Sequence, residues 1–468
     1  MTRTDTLADV LDAAGLAGRG GAAFSTATKV RAARASHAEL IVNACDGEIG
    51  AAKDGWVVEH HLSELVHGAT LLAAGRRRGV LFAAHRGSRT AQLLSAAGLD
   101  VLEAPPRYVS SEESALVSLA GGGLARPMTK RVPVVTGGRD SRGARIRPTL
   151  VLNAETVWRV AQIAERGAAW FRSYGTPTEP GPRLVSVSGY VATPGVLETQ
   201  AGVPIRSLLD AAGGRHPGAP AVLVGGLGGA FLSPDEAGRL QWSRESLATV
   251  GAAVGPGVLT VLDPWTCPLD VVGQLLRYAA GESAGQCGPC MFGLPAVARE
   301  WDDVVLRPSR AGEDRVRRRV ELLPDRGACR FPDGVGRFTA SALRVFGAHL
   351  SLHAAGACGY PSRRSESRAA VGRSFRRLPR PPRGPGGVHR TRRLCVPPAR
   401  LGPPRRVGIP DRRRAAHRRG GRSDGDPPVP RAGSLPGAAL RRRAAQVRVA
   451  TQSSSAGHRL AQSWETIS

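Results

Sequence analysis

Apolar residues along the first 180 positions follow two alternating rhythms. Leu7, Val10, Leu11 and Ala14 recur at helical spacing between Thr4 and Gly15, and the glycine is placed for a left-handed stop. Leu40-Ile-Val-Asn43 is a continuous apolar run with a polar end, which predicts a buried strand. Leu62, Leu65, Val66, Ala69 and Leu72 predict a helix over 59–74 ended by Gly75. Strand, helix and strand follow at 80–84, 89–97 and 100–102. The stretch Arg147-Pro-Thr-Leu-Val-Leu-Asn153 repeats the pattern of apolar strand, polar end and following helix, with Trp158, Val160 and Ile163 as core. Such alternation predicts an α/β layer architecture.

A Pro/Gly-rich joint at 176–182 changes the pattern. Short β runs at 184–189, 195–198 and 221–224, with one helix over 205–212, predict a compact α+β module without a catalytic constellation of its own. From Cys267 the periodicity turns helical, over 271–280, 294–305, 315–323 and 338–353, which predicts a small helical bundle. The expected domains are therefore 1–178, 179–263 and 264–358, with a tail over 359–468. Three domains suit 468 residues of which 42% are hydrophobic.

Charge alters this picture only at the tail. The net charge of +27 would ordinarily suggest a nucleic-acid or anionic-membrane partner, but residues 359–468 hold 26 Arg, no Lys and 5 carboxylates and so carry most of it. With 14 Pro and no sustained apolar period, this tail reads either as a basic disordered arm or as the product of a reading-frame shift in a GC-rich gene. Cys395 lies within it and receives no ligand role. The N-terminus lacks the apolar core of a signal peptide, and no run approaches the ~18 apolar residues of a membrane helix. A cytosolic, reducing location is expected, so the seven cysteines point to metal ligands or buried thiols rather than disulfides.

Several stretches carry candidate chemistry. Gly18-Arg-Gly-Gly-Ala-Ala-Phe-Ser-Thr-Ala-Thr-Lys29 joins glycines that let backbone amides approach an anion with two cations, Arg19 and Lys29; a flexible surface loop is the alternative. Ala44-Cys-Asp-Gly-Glu48, then Lys53-Asp54, follow a strand end, where ligands sit in open α/β sheets. Glu112 and Glu113 stand at a helix start, which suits either a site or simple charge complementarity with the helix dipole. Gly225-Gly-Leu-Gly-Gly229 is a weak phosphate signal. His60, His61 and His67 read as helix-face residues. His349 and His353, one turn apart, could chelate a metal or line a solvated face. Cys287 and Cys290 have the spacing of a shared metal centre, of a redox dithiol or of a plain turn, and Cys329 lies in the loop 327–333.

Taken together and in order, these motifs resemble the NuoF or 51 kDa flavoprotein family of NADH:quinone oxidoreductase (complex I) subunits, which includes the diaphorase subunits of hydrogenases and formate dehydrogenases. The likeness runs from about Gly15 to about Cys358, and the chain resembles a divergent member. The resemblance implies an α/β domain binding flavin mononucleotide (FMN), a small β-grasp (SLBB-like) α+β domain and a helical iron–sulfur domain. It implies Gly18, Gly20 and Lys29 near FMN, and Phe24 against the dinucleotide. The family's Asn-Ala-Asp-Glu-Ser-Glu-Pro-Gly is matched by Asn43-Ala-Cys-Asp-Gly-Glu48-Ile-Gly50, giving Asn43 to FMN and Glu48 to NADH, with Cys45 replacing a carboxylate. Tyr108 to Ser114 is similar to Tyr-x-Cys-Gly-Glu-Glu-Thr, giving Glu112 and Glu113 to the cofactor site, with Ser111 in place of a glycine. Lys130 matches a lysine near NADH. Asn153 and Thr156 match the flavin segment Asn-Asn-Val-Glu-Thr, where Leu152 replaces the first Asn.

Glu282 to Cys290 resembles Glu-Ser-Cys-Gly-x-Cys-x-Pro-Cys, whose three thiolates hold a [4Fe–4S] cluster with a fourth Cys about 40 residues on. Cys287, Cys290 and Cys329 match, whereas Ala284 stands at the first ligand. A cluster completed by solvent, Ser283 or a His, a labile cluster, or none are the options. The implied activity is hydride transfer from NADH to FMN, then single electrons through the cluster to a redox partner subunit or ferredoxin-like protein, without nucleic acid. The family setting also implies peripheral attachment at the inner face of a membrane. The departures at Cys45, Ser111, Leu152 and Ala284 sustain one rival: a degenerate scaffold or basic nucleic-acid or membrane-binding protein.

Overall fold

Leu40, Ile41 and Val42 leave no polar face, so the strand they form must be covered on both sides. That strand, β1 (Glu39–Asn43), is central in a four-stranded parallel sheet with β2 (Val80–His85), β3 (Val101–Ala104) and β6 (Thr149–Asn153), in the order β3-β2-β1-β6. A two-stranded ribbon, β4 (Gly138–Arg139) with β5 (Arg145–Ile146), interrupts the chain before β6. Side chains alternate across the sheet. Leu40, Val42, Phe82, Leu150 and Leu152 face a core shared with helices Leu7–Ala14, Leu62–Leu72 and Ala154–Arg172. Ile41, Ala83 and Val151 face the opposite core with Leu116, Val117 and Val134. The computed structural model describes residues 6–73, 79–129, 132–139 and 143–360.

Beyond the joint, β7 (Pro182–Gly189), β8 (Gly195–Gln200), β9 (Val222–Val224), β10 (Ala230–Leu232) and β11 (Val258–Val261) form a mixed sheet ordered β10-β9-β11-β7-β8. Helix Ile205–Ala211 and the buried Trp242 close its core. Helices Pro268–Glu282, Leu294–Leu306, Arg310–Glu321, Phe331–Val345 and Gly347–Ala354 follow. Their core, built on Trp301 and Phe338, also receives Leu223 and Phe231 from the second sheet, Leu227 from the turn between them, and Ile49 and Val109 from the segments that follow β1 and β3. The three layers therefore share apolar contacts. No helix among the described residues is long and apolar enough to cross a membrane.

Thr6 caps the first helix through a capping box with Asp9, and Gly15 stops it at φ 69°. Two expected helices are broken. The helix expected over 59–74 is Lys53–His60 followed by Leu62–Leu72, because His61 is non-helical (φ −135°, ψ 33°) and its ring stacks on Trp158 at 4.3 Å. The expected stop at Gly75 lies outside the described residues. Phe346 divides the helix expected over 338–353, dropping its own ring against Phe231 at 5.1 Å. His60 stacks on Trp56 at 4.7 Å and His67 is exposed, as helix-face residues would be. Of the basic tail, 361–468 lies outside the described residues.

Candidate functional site

The carboxyl ends of β1 and β6 lie side by side, with Asn43 in register with Asn153. Chain from both directions leaves the sheet here, which is the place where open α/β sheets bind ligands. Asn43 donates through Nδ2 to the Ser111 carbonyl at 2.9 Å and accepts from the Cys45 amide at 3.1 Å. Asn153 donates to Asp54 Oδ1 at 3.1 Å and accepts from the Thr156 hydroxyl. Thr156 also accepts from the Arg19 amide at 2.9 Å, which fastens the glycine loop over the strand ends. A Cβ on Gly20 would stand 4.0 Å from Asn153 Cγ.

The two cations of that loop have different fates. Arg19 is buried, and its guanidinium donates to the Pro180 and Pro182 carbonyls at 3.0 and 3.1 Å, so it secures the joint rather than facing an anion. Lys29 pairs with Glu113 Oε1 at 2.8 Å. Phe24 closes the loop by accepting the Gly18 amide at 2.8 Å. The acidic pair also divides. Glu112 caps its own helix by accepting from the Ser114 and Ala115 amides at 2.8 and 3.1 Å, while Glu113 meets Lys29. Lys130 lies outside the described residues.

Beneath the asparagines is a buried ionic group whose pairing no local sequence pattern reveals. Lys53 Nζ lies 2.7 Å from Asp54 and 3.2 Å from Glu155. Burial opposes its charge, but Asp54, Glu155 and Asp46 outweigh it and hold the ammonium above its ordinary pKa. Asp46, at φ 48°, accepts from the Asp54 and Gly55 amides at 3.1 and 2.7 Å and so caps helix Lys53–His60 from outside it. Burial, and then the Asp54 charge, push Asp46 up to about 7. Burial likewise raises the Cys45 thiol, with Asp46 and Asp54 adding to it. A buried thiol thus stands at position 45, where the resemblance leads one to expect a carboxylate.

Glu48 reaches across to the second sheet. Its Oε1 accepts from Leu227 N at 2.7 Å, and its Oε2 accepts from the Tyr108 hydroxyl at 2.5 Å. A side chain on Gly226 would collide with this carboxylate, 2.3 Å from its Cδ, which explains a glycine there better than any phosphate does. Desolvation pushes Glu48 up to about 7 against these hydrogen bonds. Tyr108 then continues the line: its amide donates to Glu282 at 2.9 Å, and its ring packs on Phe331 at 4.6 Å. Its place at the head of the Tyr-Val-Ser-Ser-Glu-Glu motif was the available signal.

Past Tyr108 stand the cysteines. Cys290 is buried, its sulfur bonded by Cys287 and by the Ala284 amide and lying within the influence of Cys329. Burial, then Cys287, push its thiol up to about 12. Cys287 and Cys329 both act on the Cys290 sulfur, so the three thiols lie near one another, as the ligands of one iron–sulfur cluster would. Ser283, by contrast, donates its hydroxyl to the Ala280 carbonyl at 3.1 Å.

Residues 11–162 match the family described as the Nuo51 FMN-binding domain, and 270–353 match the NADH-ubiquinone oxidoreductase-F iron-sulfur binding region. The chain belongs to the NuoF flavoprotein family. It is 29% identical to one of the F-type subunits of the NADH-quinone oxidoreductase of Rhizobium meliloti, covering 75% of this chain and 89% of that protein. Identity to the corresponding NADH-quinone oxidoreductase protein of Streptomyces coelicolor is also 29%, over 76% and 84% of the two chains. Among solved structures, a chain of the air-oxidized NAD+-reducing [NiFe]-hydrogenase superposes with a TM-score of 0.65 at 30% identity, covering 74% of this chain and 62% of that one.

Within this family the serine and glycine at two touching positions have changed places. Position 47 is Gly where the motif has Ser, and 111 is Ser where the motif has Gly; a Cβ on Gly47 would lie 1.9 Å from Ser111 Oγ. Gly47→Ser alone is expected to lower stability by about 1–3 kcal/mol, as overpacking does, and Ser111→Gly in the same chain is expected to restore most of it. Thermal melts of the two single variants and the double variant check this; simple additivity would refute it.

Glu48 gives a pH dependence with a definite sign. Its folded pKa of about 7 stands above its ordinary value of 4.5, so its contribution to stability falls as pH rises through that window. Glu48→Gln is expected to flatten the loss between these limits by about 3 kcal/mol, measured by denaturant unfolding across pH.

Proposed function

We propose that this chain oxidises NADH, passing a hydride to FMN and then single electrons through a [4Fe–4S] cluster to a partner protein. The observation that carries the reading is the run of contacts from Asn43 at the strand end, through Ser111 to Tyr108, Glu48 and Phe331, whose apolar core also holds Cys290. Bound flavin supplies the change from two-electron to one-electron chemistry. The protein's share is placement. Gly18 and Gly20 let the loop's backbone come close to FMN, and Lys29, held by Glu113, stands beside it; Asn43, Asn153, Thr156, Glu112 and Glu113 bind and orient it. Phe24, Glu48 and Lys130 receive NADH. Glu48 can hold or release a proton at Oε2, beside the Tyr108 hydroxyl, near neutral pH. Cys287, Cys290 and Cys329 hold the cluster.

In this reading residues 1–178 form the FMN/NADH domain, 179–263 a β-grasp domain of SLBB type and 264–358 a helical-bundle iron–sulfur domain. The β-grasp assignment is supported by the mixed sheet wrapped on helix Ile205–Ala211. The partner is a redox protein, either a further component of the same complex or ferredoxin-like, and the complex lies against the inner face of the membrane.

The purified protein is expected to be yellow, to be bleached by NADH and to reduce an artificial acceptor with it. Protein that takes up no FMN and does not respond to NADH would overturn the reading in favour of a scaffold. Ala284→Cys is expected to raise iron and acid-labile sulfide per chain and to strengthen the EPR signal of the reduced protein. Unchanged iron, sulfide and EPR would show that position 284 does not face the cluster.

A further inference from the structure

A second group of metal-binding side chains lies apart from Cys287, Cys290 and Cys329. Cys267, His349, His353 and Cys358 present one donor atom each, all within 4.8 Å of one another. Cys267 Sγ is 3.5 Å from His349 Nε2 and 3.4 Å from His353 Nε2, and Cys358 Sγ is 3.6 Å from His349 Nε2. For zinc bonds of about 2.3 Å to sulfur and 2.0–2.1 Å to nitrogen, tetrahedral angles place S and N about 3.6 Å apart. The three sulfur–nitrogen separations are therefore those that a single tetrahedral ion would impose.

The surroundings fix the metal-binding tautomer of one of the two histidines. His353 Nδ1 lies 3.4 Å from the Val305 carbonyl, and donating a hydrogen there leaves Nε2 free for a metal. Without an ion, two thiols and two ring nitrogens face one another, and the Cys267 sulfur has at most one proton to offer two imidazoles. A two-iron centre held by the same residue types would put thiolates and imidazoles on different irons, farther apart than this group allows.

We propose that Cys267, His349, His353 and Cys358 form a structural Zn²⁺ site. Binding releases two thiol protons as two Zn–S and two Zn–N bonds form, and a neutral Cys₂His₂ centre results with no change of oxidation state. It fastens the last described helix, Gly347–Ala354, to the start of Pro268–Glu282 and, through His353, to Leu294–Leu306. The site stands independently of the electron-transfer reading.

Full-length protein purified with Zn²⁺ as the only added metal is expected to retain about one zinc per chain after dialysis. Co²⁺ in its place is expected to give the visible bands of a tetrahedral thiolate–imidazole site. His353→Ala and Cys358→Ser should lower zinc roughly tenfold or more, since losing even an outer partner costs 10–100-fold in affinity. Cys287→Ser and Cys290→Ser should leave it unchanged. Wild-type protein without zinc and without the tetrahedral Co²⁺ spectrum would overturn the proposal, as would zinc lost with Cys287→Ser but kept in Cys358→Ser. The wild-type Co²⁺ spectrum decides the matter even where a variant fails to fold.

Discussion

Lys53, with its ammonium 2.7 Å from Asp54 and 3.2 Å from Glu155, is the buried charge on which the site's geometry depends. An unpaired ammonium in that place would be prohibitive, and removing one partner of such a pair costs about 3–5 kcal/mol. The group also joins three parts of the chain. Asp54 lies on the helix after β1, Glu155 opens the helix after β6, and Glu155 Oε1 accepts the Leu184 amide of β7 at 2.7 Å. Asp54 Oδ1 additionally holds Asn153 and the Glu155 amide at 3.1 and 2.8 Å. The same carboxylates that neutralise Lys53 thus orient the polar strand end and fix the second sheet beside the first.

Close approach of backbone supplies the second constraint. The Gly225–Gly229 turn must come close to Glu48 on one side, and Gly334 must come close to Gly228 on the other, where a Cβ on Gly334 would be 2.8 Å from Gly228 Cα. A turn without side chains at these points lets the first sheet, the second sheet and helix Phe331–Val345 share one junction. Glu48 supplies the acceptors that the exposed amides of the turn need. Its raised pKa is the electrostatic consequence of putting a carboxylate in so enclosed a place.

The sequence made the sheet legible because a parallel strand buried on both faces has to be continuously apolar, as Leu40–Val42 and Leu150–Leu152 are. Strand ends at Asn43 and Asn153 followed directly. Helix Lys53–His60 was missed because its cap, Asp46, is seven residues before its first residue, and its own start has no side-chain cap. The Lys53 network escaped for a similar reason: Lys53 and Glu155 are distant in sequence, and local patterns do not report such pairings. Arg19 looked like a phosphate cation because charge in a glycine loop is visible in sequence, whereas the Pro180 and Pro182 carbonyls that claim it are not.

The cysteines show the same division between spacing and space. Cys287 and Cys290 announce a shared centre at three residues' separation, while Cys267 and Cys358 have no such signal and are brought to His349 only by the helices between them. This bears on the missing fourth thiolate at Ala284. A histidine could have replaced it, but His349 and His353 both face Cys267, and turning either away would break up the tighter of the two donor groups. Ser283 is likewise committed, to the Ala280 carbonyl. Were Cys287, Cys290 and Cys329 to hold a cluster, neither Ser283 nor His349 nor His353 as placed here would stand in for the thiolate missing at Ala284.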